Sequence, residues 1–144
     1  MEQLNINTKI TYGASIFDFD ETVGYSNNVV IAFKGKQSFT IKSNEWPMVG
    51  EKYKNDGWNF DFTDFNKVTD GTPGPLINKL KNQINKYGNE SIYILTARHS
   101  DSESAIHEWL LTQDIELKLE NVIGIGSSSG EAKAKWIQDN LITN

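Results

Sequence analysis

The sequence predicts an α/β domain, a parallel sheet with crossover helices that carries a small β-rich insertion near its start. Three observations support this. From residue 75 onward the pattern runs helix, strand, helix, strand, helix, the order in which crossovers join parallel strands. A short apolar run, Ser15-Ile16-Phe17, precedes that series and stops at two aspartates. Between the two lie short β-rich runs and a set of aromatic residues.

Taken in order, residues 1–9 are polar and are expected to fray. Residues 9–19 read as a strand interrupted near Gly13. Residues 29–33 and 38–42 are β-rich, and Lys34-Gly35-Lys36-Gln37 between them suits a hairpin. Pro47 sits where a short helix or turn could begin. Trp58, Phe60 and Phe62 alternate with polar residues, and Phe65 comes soon after. The run Gly71-Thr72-Pro73-Gly74-Pro75 is strong punctuation. A helix should come next, with Pro75 in the first turn, Leu76, Ile77, Leu80, Ile84 and Tyr87 on one face, and Gly88 as its stop. Residues 91–95 form a short buried strand. Ser100 and Glu103 have capping-box spacing before a helix whose buried stripe is Ile106, Trp109 and Leu110. Residues 122–125 form another strand. Ser128 and Glu131 repeat the capping-box spacing and open a helix that runs to about Leu141.

The chain has 144 residues, the length of a single domain, and a net charge of −5. That charge argues against a general nucleic-acid-binding surface but not against a nucleotide substrate. There is no cysteine, hence no disulfide framework and no thiolate chemistry. No apolar run is long enough to span a bilayer, and Met1-Glu2-Gln3 does not open a signal peptide. The expected location is cytoplasmic.

In parallel α/β sheets the chemistry sits beyond the carboxyl ends of the strands. Three segments fall there: Asp18-Phe19-Asp20, Thr96-Ala97-Arg98, and the loop at residues 126–130. Asp18 and Asp20, spaced i, i+2, leave a strand end pointing the same way. Two carboxylates held together repel, and a chain keeps such a pair most readily with a cation or a reacting phosphate between them. Asp18 comes first off the strand and is the better nucleophile, able to form an acyl phosphate. Asp20 can protonate the leaving oxygen and then activate water. Mg2+ would bridge a carboxylate and a phosphate oxygen. The bland alternative is a strand-end turn in which Asp20-Glu21-Thr22 caps the next stretch of chain. The Thr96 hydroxyl can donate to a phosphate oxygen or cap the next helix. Arg98 can add a charge-assisted contact or be a solvated loop residue. His99 and His107 read as surface residues. Lys133 and Lys135 compete to neutralise a phosphate. At roughly 100° per residue, Lys133 falls within the apolar face of Ala132, Trp136, Ile137 and Leu141, and Lys135 points away. An inward lysine wants an anionic partner, or else snorkels along the helix. Gly124-Ile125-Gly126 and the serines after it lack phosphate-loop spacing.

Asp18-Phe19-Asp20-Glu21-Thr22, Ile94-Leu95-Thr96-Ala97-Arg98 and a helix-borne Lys133 resemble, in order, the first three motifs of the haloacid dehalogenase superfamily. The resemblance covers the chain from about residue 14 onward. It is closest to small phosphatase-like members from bacteriophages and bacteria, whose Phe-Asn-Lys-Val and Gly-Pro-Leu stretches resemble residues 65–68 and 74–76. It implies one three-layer, Rossmann-like domain over residues 1–144, with helices on both faces of the sheet. Residues 24–70 would be a small cap inserted after the first strand. The implied activity is Mg2+-dependent phosphomonoester hydrolysis through an aspartyl-phosphate. Asp18 would be nucleophile and metal ligand, and Asp20 the acid/base, whose main-chain carbonyl also binds the metal. Thr96, Ala97 and Lys133 would hold the phosphate, with Thr22 and Arg98 as further candidates. Caps in this superfamily choose the substrate, and the aromatic set Trp58, Phe60, Phe62 and Phe65 lies in the cap. It is either a small packed core or a base-stacking platform.

The sequence departs from that pattern at its end, where no acidic pair after an apolar strand supplies a fourth motif. Asp139, on a helix, is a poor substitute. Without that strand the first strand would be a sheet edge. A separate chain, a second copy, or the segment at residues 10–12 folding back could cover it. The expected partners are therefore a small phosphorylated substrate and either self-association or a chain that adds the strand. A non-catalytic subunit and a binding module that uses the cap are the alternatives to the enzyme.

Overall fold

The computed structural model describes residues 2–4 and 14–142. Strand β1 (Glu2–Leu4) pairs antiparallel with β2 (Ala14–Phe17), with Glu2 opposite Ile16 and Leu4 opposite Ala14. The next segment holds β3 (Gly24–Tyr25), β4 (Val29–Lys34), β5 (Gln37–Lys42), α1 (Trp46–Asn55), β6 (Asn59–Asp61) and β7 (Thr72–Pro73). Then come α2 (Ile77–Tyr87), β8 (Ile92–Thr96), α3 (Glu103–Thr112), β9 (Val122–Gly124) and α4 (Gly130–Asn140). The main sheet has the order β1-β2-β8-β9. Its last three strands are parallel, Phe17 opposite Ile94 and Thr96 opposite Gly124. All three therefore stop at one edge, and Asp18, the residues after Thr96 and the loop after Gly124 emerge there together.

Side chains alternate across a strand, and the two faces are covered differently. Phe17, Ile92 and Ile94 pack with Ile77 and Leu80 of α2 and with Ile106, Trp109 and Leu110 of α3 in one buried cluster. Ile16, Tyr93 and Leu95 point the other way, toward α4, where the Tyr93 and Trp136 rings meet edge to face at 5.8 Å. The fold is thus mixed α/β, with a three-strand parallel core and helices on both faces, as the alternating pattern predicts.

The insertion has its own small core. Strands β5, β4 and β6 form an antiparallel sheet, with the hairpin turn at Gly35 in the left-handed region (φ 60°). Its buried residues Val30, Ala32 and Ile41 pack with Phe39, Trp46, Tyr53, Trp58 and Phe60. Trp58 and Phe60 are therefore core. Phe62 is about half exposed, its ring edge-on to Trp46, and Phe65 lies over the Arg98 guanidinium. The rings divide their duties and do not form one platform.

Several expectations are corrected. Residues 2–4 form an edge strand and are not frayed, because β2 offers them a free row of backbone partners. Part of the expected strand, residues 9–13, and the fold-back at residues 10–12 lie outside the described residues. Tyr87, the last residue of α2, is exposed, with the Lys86 ammonium 5.1 Å from its ring. The Ser100/Glu103 capping box does not form. Ser100–Ser102 is a 3-10 turn, and the Glu103 carboxylate accepts the Gly124 N–H at 2.8 Å instead. At α4 the cap is Ser129, one residue later than expected, accepting the Ala132 N–H. Among the described residues no helix is long and apolar enough to cross a membrane.

Candidate active site

Asp18 is the first residue past β2. Its Oδ1 accepts the Phe19 N–H at 2.9 Å, and its Oδ2 lies 3.4 Å from Lys133 Nζ. The chain then turns sharply. The Phe19 carbonyl accepts the N–H groups of Thr22, Val23 and Gly24, and Glu21 takes φ 61°. Thr22 helps hold this turn, its hydroxyl a long 3.4 Å from the Asp20 carbonyl. The returning chain is tied to the same turn. Gly74 donates to Val23 and Leu76 to Thr22, and a Cβ at Gly74 would stand 2.5 Å from the Thr22 carbonyl oxygen.

Asp20 is held by Arg98, whose Nε and Nη2 donate to its two carboxylate oxygens at 3.0 and 2.7 Å. The same guanidinium donates from Nη1 to the carbonyls of Phe65 and Lys67, and from Nη2 toward Ser26 Oγ and Asn28 Oδ1. The Phe19 and Phe65 rings lie 5.2 and 4.8 Å from its central carbon. The Arg98 side chain is 1% exposed. It is therefore not a solvated loop residue, and its donors are directed at protein acceptors, so the arrangement gives a phosphate no obvious claim on them. A two-pronged, buried arginine of this kind fixes a carboxylate in position as well as charge.

From Arg98 the network runs into the insertion. The Asn28 amide donates to the Asp64 carbonyl, Asp64 Oδ2 and Thr69 Oγ1, and Asp64 also accepts the Val29 N–H at 2.9 Å. Burial pushes the Asp64 carboxyl up, but the Val29 and Asn28 hydrogen bonds and the Lys67 charge outweigh it, and its pKa lies below the usual carboxylate value.

Thr96 is fully buried, and its hydroxyl accepts the Arg98 N–H at 3.2 Å, with Ala97 half-buried between them. The loop after β9 is bound to this loop through Ile125 N–H to Thr96 and Gly126 N–H to Arg98. Gly124 permits the approach, since a Cβ there would sit 2.5 Å from the His99 carbonyl oxygen. Lys133 lies in the first turns of α4, 28% exposed and facing Asp18, whereas Lys135 is exposed and pairs with Asp139 at 3.0 Å. Lys133 thus faces the strand end and Lys135 the solvent. His99 is exposed, and His107 binds the Leu117 carbonyl.

Asp18 and Lys133 therefore meet at one strand end, with Thr96 and Ala97 at the neighbouring one, whereas the Asp20 carboxylate is turned to Arg98 and is not brought to Asp18 as the i, i+2 spacing predicts. Sequence reasoning missed the role of Arg98, Asn28 and Asp64. The nearest signal for Arg98 was its place two residues past a buried strand, which says that a charge there needs a partner but not which one. Among the described residues no three His, Asp or Glu side chains gather. Asp18 is 45% exposed but already faces the Lys133 ammonium, and the Asp20 carbonyl is turned to the Thr22 hydroxyl. No protein-family model, curated protein or solved structure matches the chain.

Proposed function

We propose that this protein is a phosphomonoester hydrolase of the haloacid dehalogenase type, acting through an aspartyl-phosphate at Asp18. The observation that carries the reading is the placement of Asp18 at a parallel-strand terminus, 3.4 Å from the Lys133 ammonium and two residues from a rigidly held Asp20. In this reading the sheet is Rossmann-like and residues 24–70 are the cap.

Asp18 Oδ attacks the phosphorus, an O–P bond forms, and the bond to the leaving oxygen breaks on the opposite side. Asp20 gives its proton to that oxygen and takes one from the water that next hydrolyses the acyl phosphate. Arg98 holds Asp20 in place, and one Asp20 oxygen must give up its fork contact while it carries the proton. Lys133 balances the charge of the transferring group, and Ala97 is the exposed part of the neighbouring strand end, whereas the Thr96 hydroxyl is buried on the Arg98 N–H. Mg2+, held by Asp18 and the Asp20 carbonyl, supplies further charge neutralisation when bound.

The test is hydrolysis of p-nitrophenyl phosphate with Mg2+, comparing wild type with Asp18→Asn. The reading expects turnover in the wild type and its loss in the variant, and equal rates would refute it. A second reading rests on the Arg98 fork. Both oxygens of Asp20 already serve a structural ion pair, which favours a binding subunit whose chemistry a partner completes. Activity that appears only when a partner polypeptide is added would support that reading.

A further inference from the structure

The sheet of the insertion ends on one side in an open strand. β5 is its last strand, and among the described residues no other strand pairs with its outer side. At six residues β5 is longer than the end strands β1, β9 and β6, which have three each. Open edges are usually blunted by shortness, proline, a bulge or charge. The strand Gln37–Lys42 has no proline, pairs with β4 residue for residue, and carries a charge only at Lys42.

The hairpin fixes which groups face outward. Its loop is Gly35 and Lys36, so Lys34 and Gln37 close it as a hydrogen-bonded pair. Bonded and non-bonded pairs alternate along an antiparallel ladder, so Gln37, Phe39 and Ile41 turn their backbone groups to β4. The backbone groups of Ser38, Thr40 and Lys42 therefore face the open side. The Lys42 carbonyl accepts the Glu45 N–H at 3.0 Å and keeps a second lone pair. Ser38, Thr40 and Lys42 are also exposed, whereas Phe39 and Ile41 belong to the core of the insertion.

We propose that β5 is the surface through which two copies of this chain associate, pairing antiparallel across a two-fold axis at Thr40. Thr40 then meets Thr40 of the second copy, Ser38 meets Lys42, and Phe39 meets Ile41. The outward backbone groups satisfy one another, and exposed side chains stay opposite exposed ones. A slip of one residue would set exposed side chains against core ones. Centring the pair on Phe39 would put Lys36 opposite Lys42, two like charges. Centring it on Ile41 would leave fewer pairs and draw the two Lys42 side chains together. The axis at Thr40 avoids both and points Lys36 toward the exposed Glu45 of the second copy. This self-complementarity selects a second copy over an unrelated strand. One strand pair buries little surface, so the dimer is weak, with a Kd of about 0.1 mM. The association does not depend on the reaction proposed at Asp18.

The experiment compares the full chain at about 10 µM and about 1 mM by sedimentation equilibrium and amide hydrogen exchange. The mass should rise from monomer toward dimer. Exchange at residues 38, 40 and 42 should slow several-fold on concentrating, while residues 37, 39 and 41, already bonded to β4, change little. Thr40→Lys and Thr40→Glu each set like charges together on the axis and should each weaken association about fivefold. An equimolar mixture of the two should associate at least as tightly as the wild type. Ser38→Lys, opposite Lys42 of the second copy, should weaken association likewise and serves if the Thr40 variants do not fold. A chain still monomeric at about 1 mM, slowing confined to residues 2–4 or 122–124, or a mixture no tighter than Thr40→Lys alone would each overturn the proposal. Hydrolysis of p-nitrophenyl phosphate in dilute solution should be the same in Thr40→Lys and wild type, so loss of either reading leaves the other standing.

Discussion

Arg98 is the residue on which the most structure depends. It is buried, its charge is matched by Asp20, and its remaining donors hold carbonyls of the insertion. Removing one partner of such a pair leaves the other uncompensated, a cost of about 3–5 kcal/mol. Arg98→Ala should therefore lower the melting temperature by about 10 °C or more in a thermal scan. Arg98→Lys should recover only part of this, because an ammonium cannot reproduce the fork. If Arg98→Ala melts with the wild type, the ion pair is not structural. Asp18 and Lys133 were legible in the sequence because each rests on local periodicity: i, i+2 along a strand for Asp18 and the helical face for Lys133. Arg98 was not, because its acceptors lie 31 to 78 residues away and no local pattern encodes them.

The insertion and the turn after β2 are the elements that decide where Asp20 sits. The 19–24 turn is closed by three donors on one carbonyl, and its far side is stitched to β7 through Gly74. The Asn28–Asp64 pair then fastens β4 to the turn at Thr63–Asn66, directly beside Arg98. Asp64 is ionised more readily in the folded protein than its ordinary value of 3.8. Its contribution is therefore complete above about pH 3.8 and drains away as the pH falls through the lower folded value. Unfolding midpoints measured by tryptophan fluorescence between pH 6 and pH 2 (a range chosen about that value) should fall at the acid end. Asp64→Asn should be less stable at neutral pH and flatter across the acid range, and an unchanged slope would mean that other carboxylates set the acid limit. The hairpin of β4 and β5 was legible because alternation and a Lys-Gly-Lys turn are local signals. The two misplaced caps were not, since a serine with a glutamate three residues later scores the same whether Glu103 reaches back along its own helix or across to Gly124.

Across the whole molecule, the alternation of helices and strands after residue 75 specified the parallel core, but what lies beside β2 depended on a segment with little patterning of its own. β2 has four residues, all buried, and β8 covers only one of its edges. The other is occupied by β1, running antiparallel, so that the strand carrying Asp18 at its end has backbone partners on both sides. An unpaired edge of this kind is a template for another chain. Deleting residues 1–4 should therefore convert β2 into an open edge with apolar neighbours, and self-association by edge pairing becomes the favoured way to satisfy it. Light scattering at micromolar concentration should show the shortened chain associating to a greater extent than the full chain. Amide exchange at residues 14–17 should speed up in the dilute shortened chain and slow again as it associates. Such a chain would also test the candidate site, because Asp18 takes its position from the end of β2. Looser pairing there should reduce the proposed phosphatase turnover before it changes the melting of the core packed around Phe17 and Ile94. A shortened chain that stays monomeric, with the amides of residues 14–17 still protected, would mean that β1 is not what covers this edge.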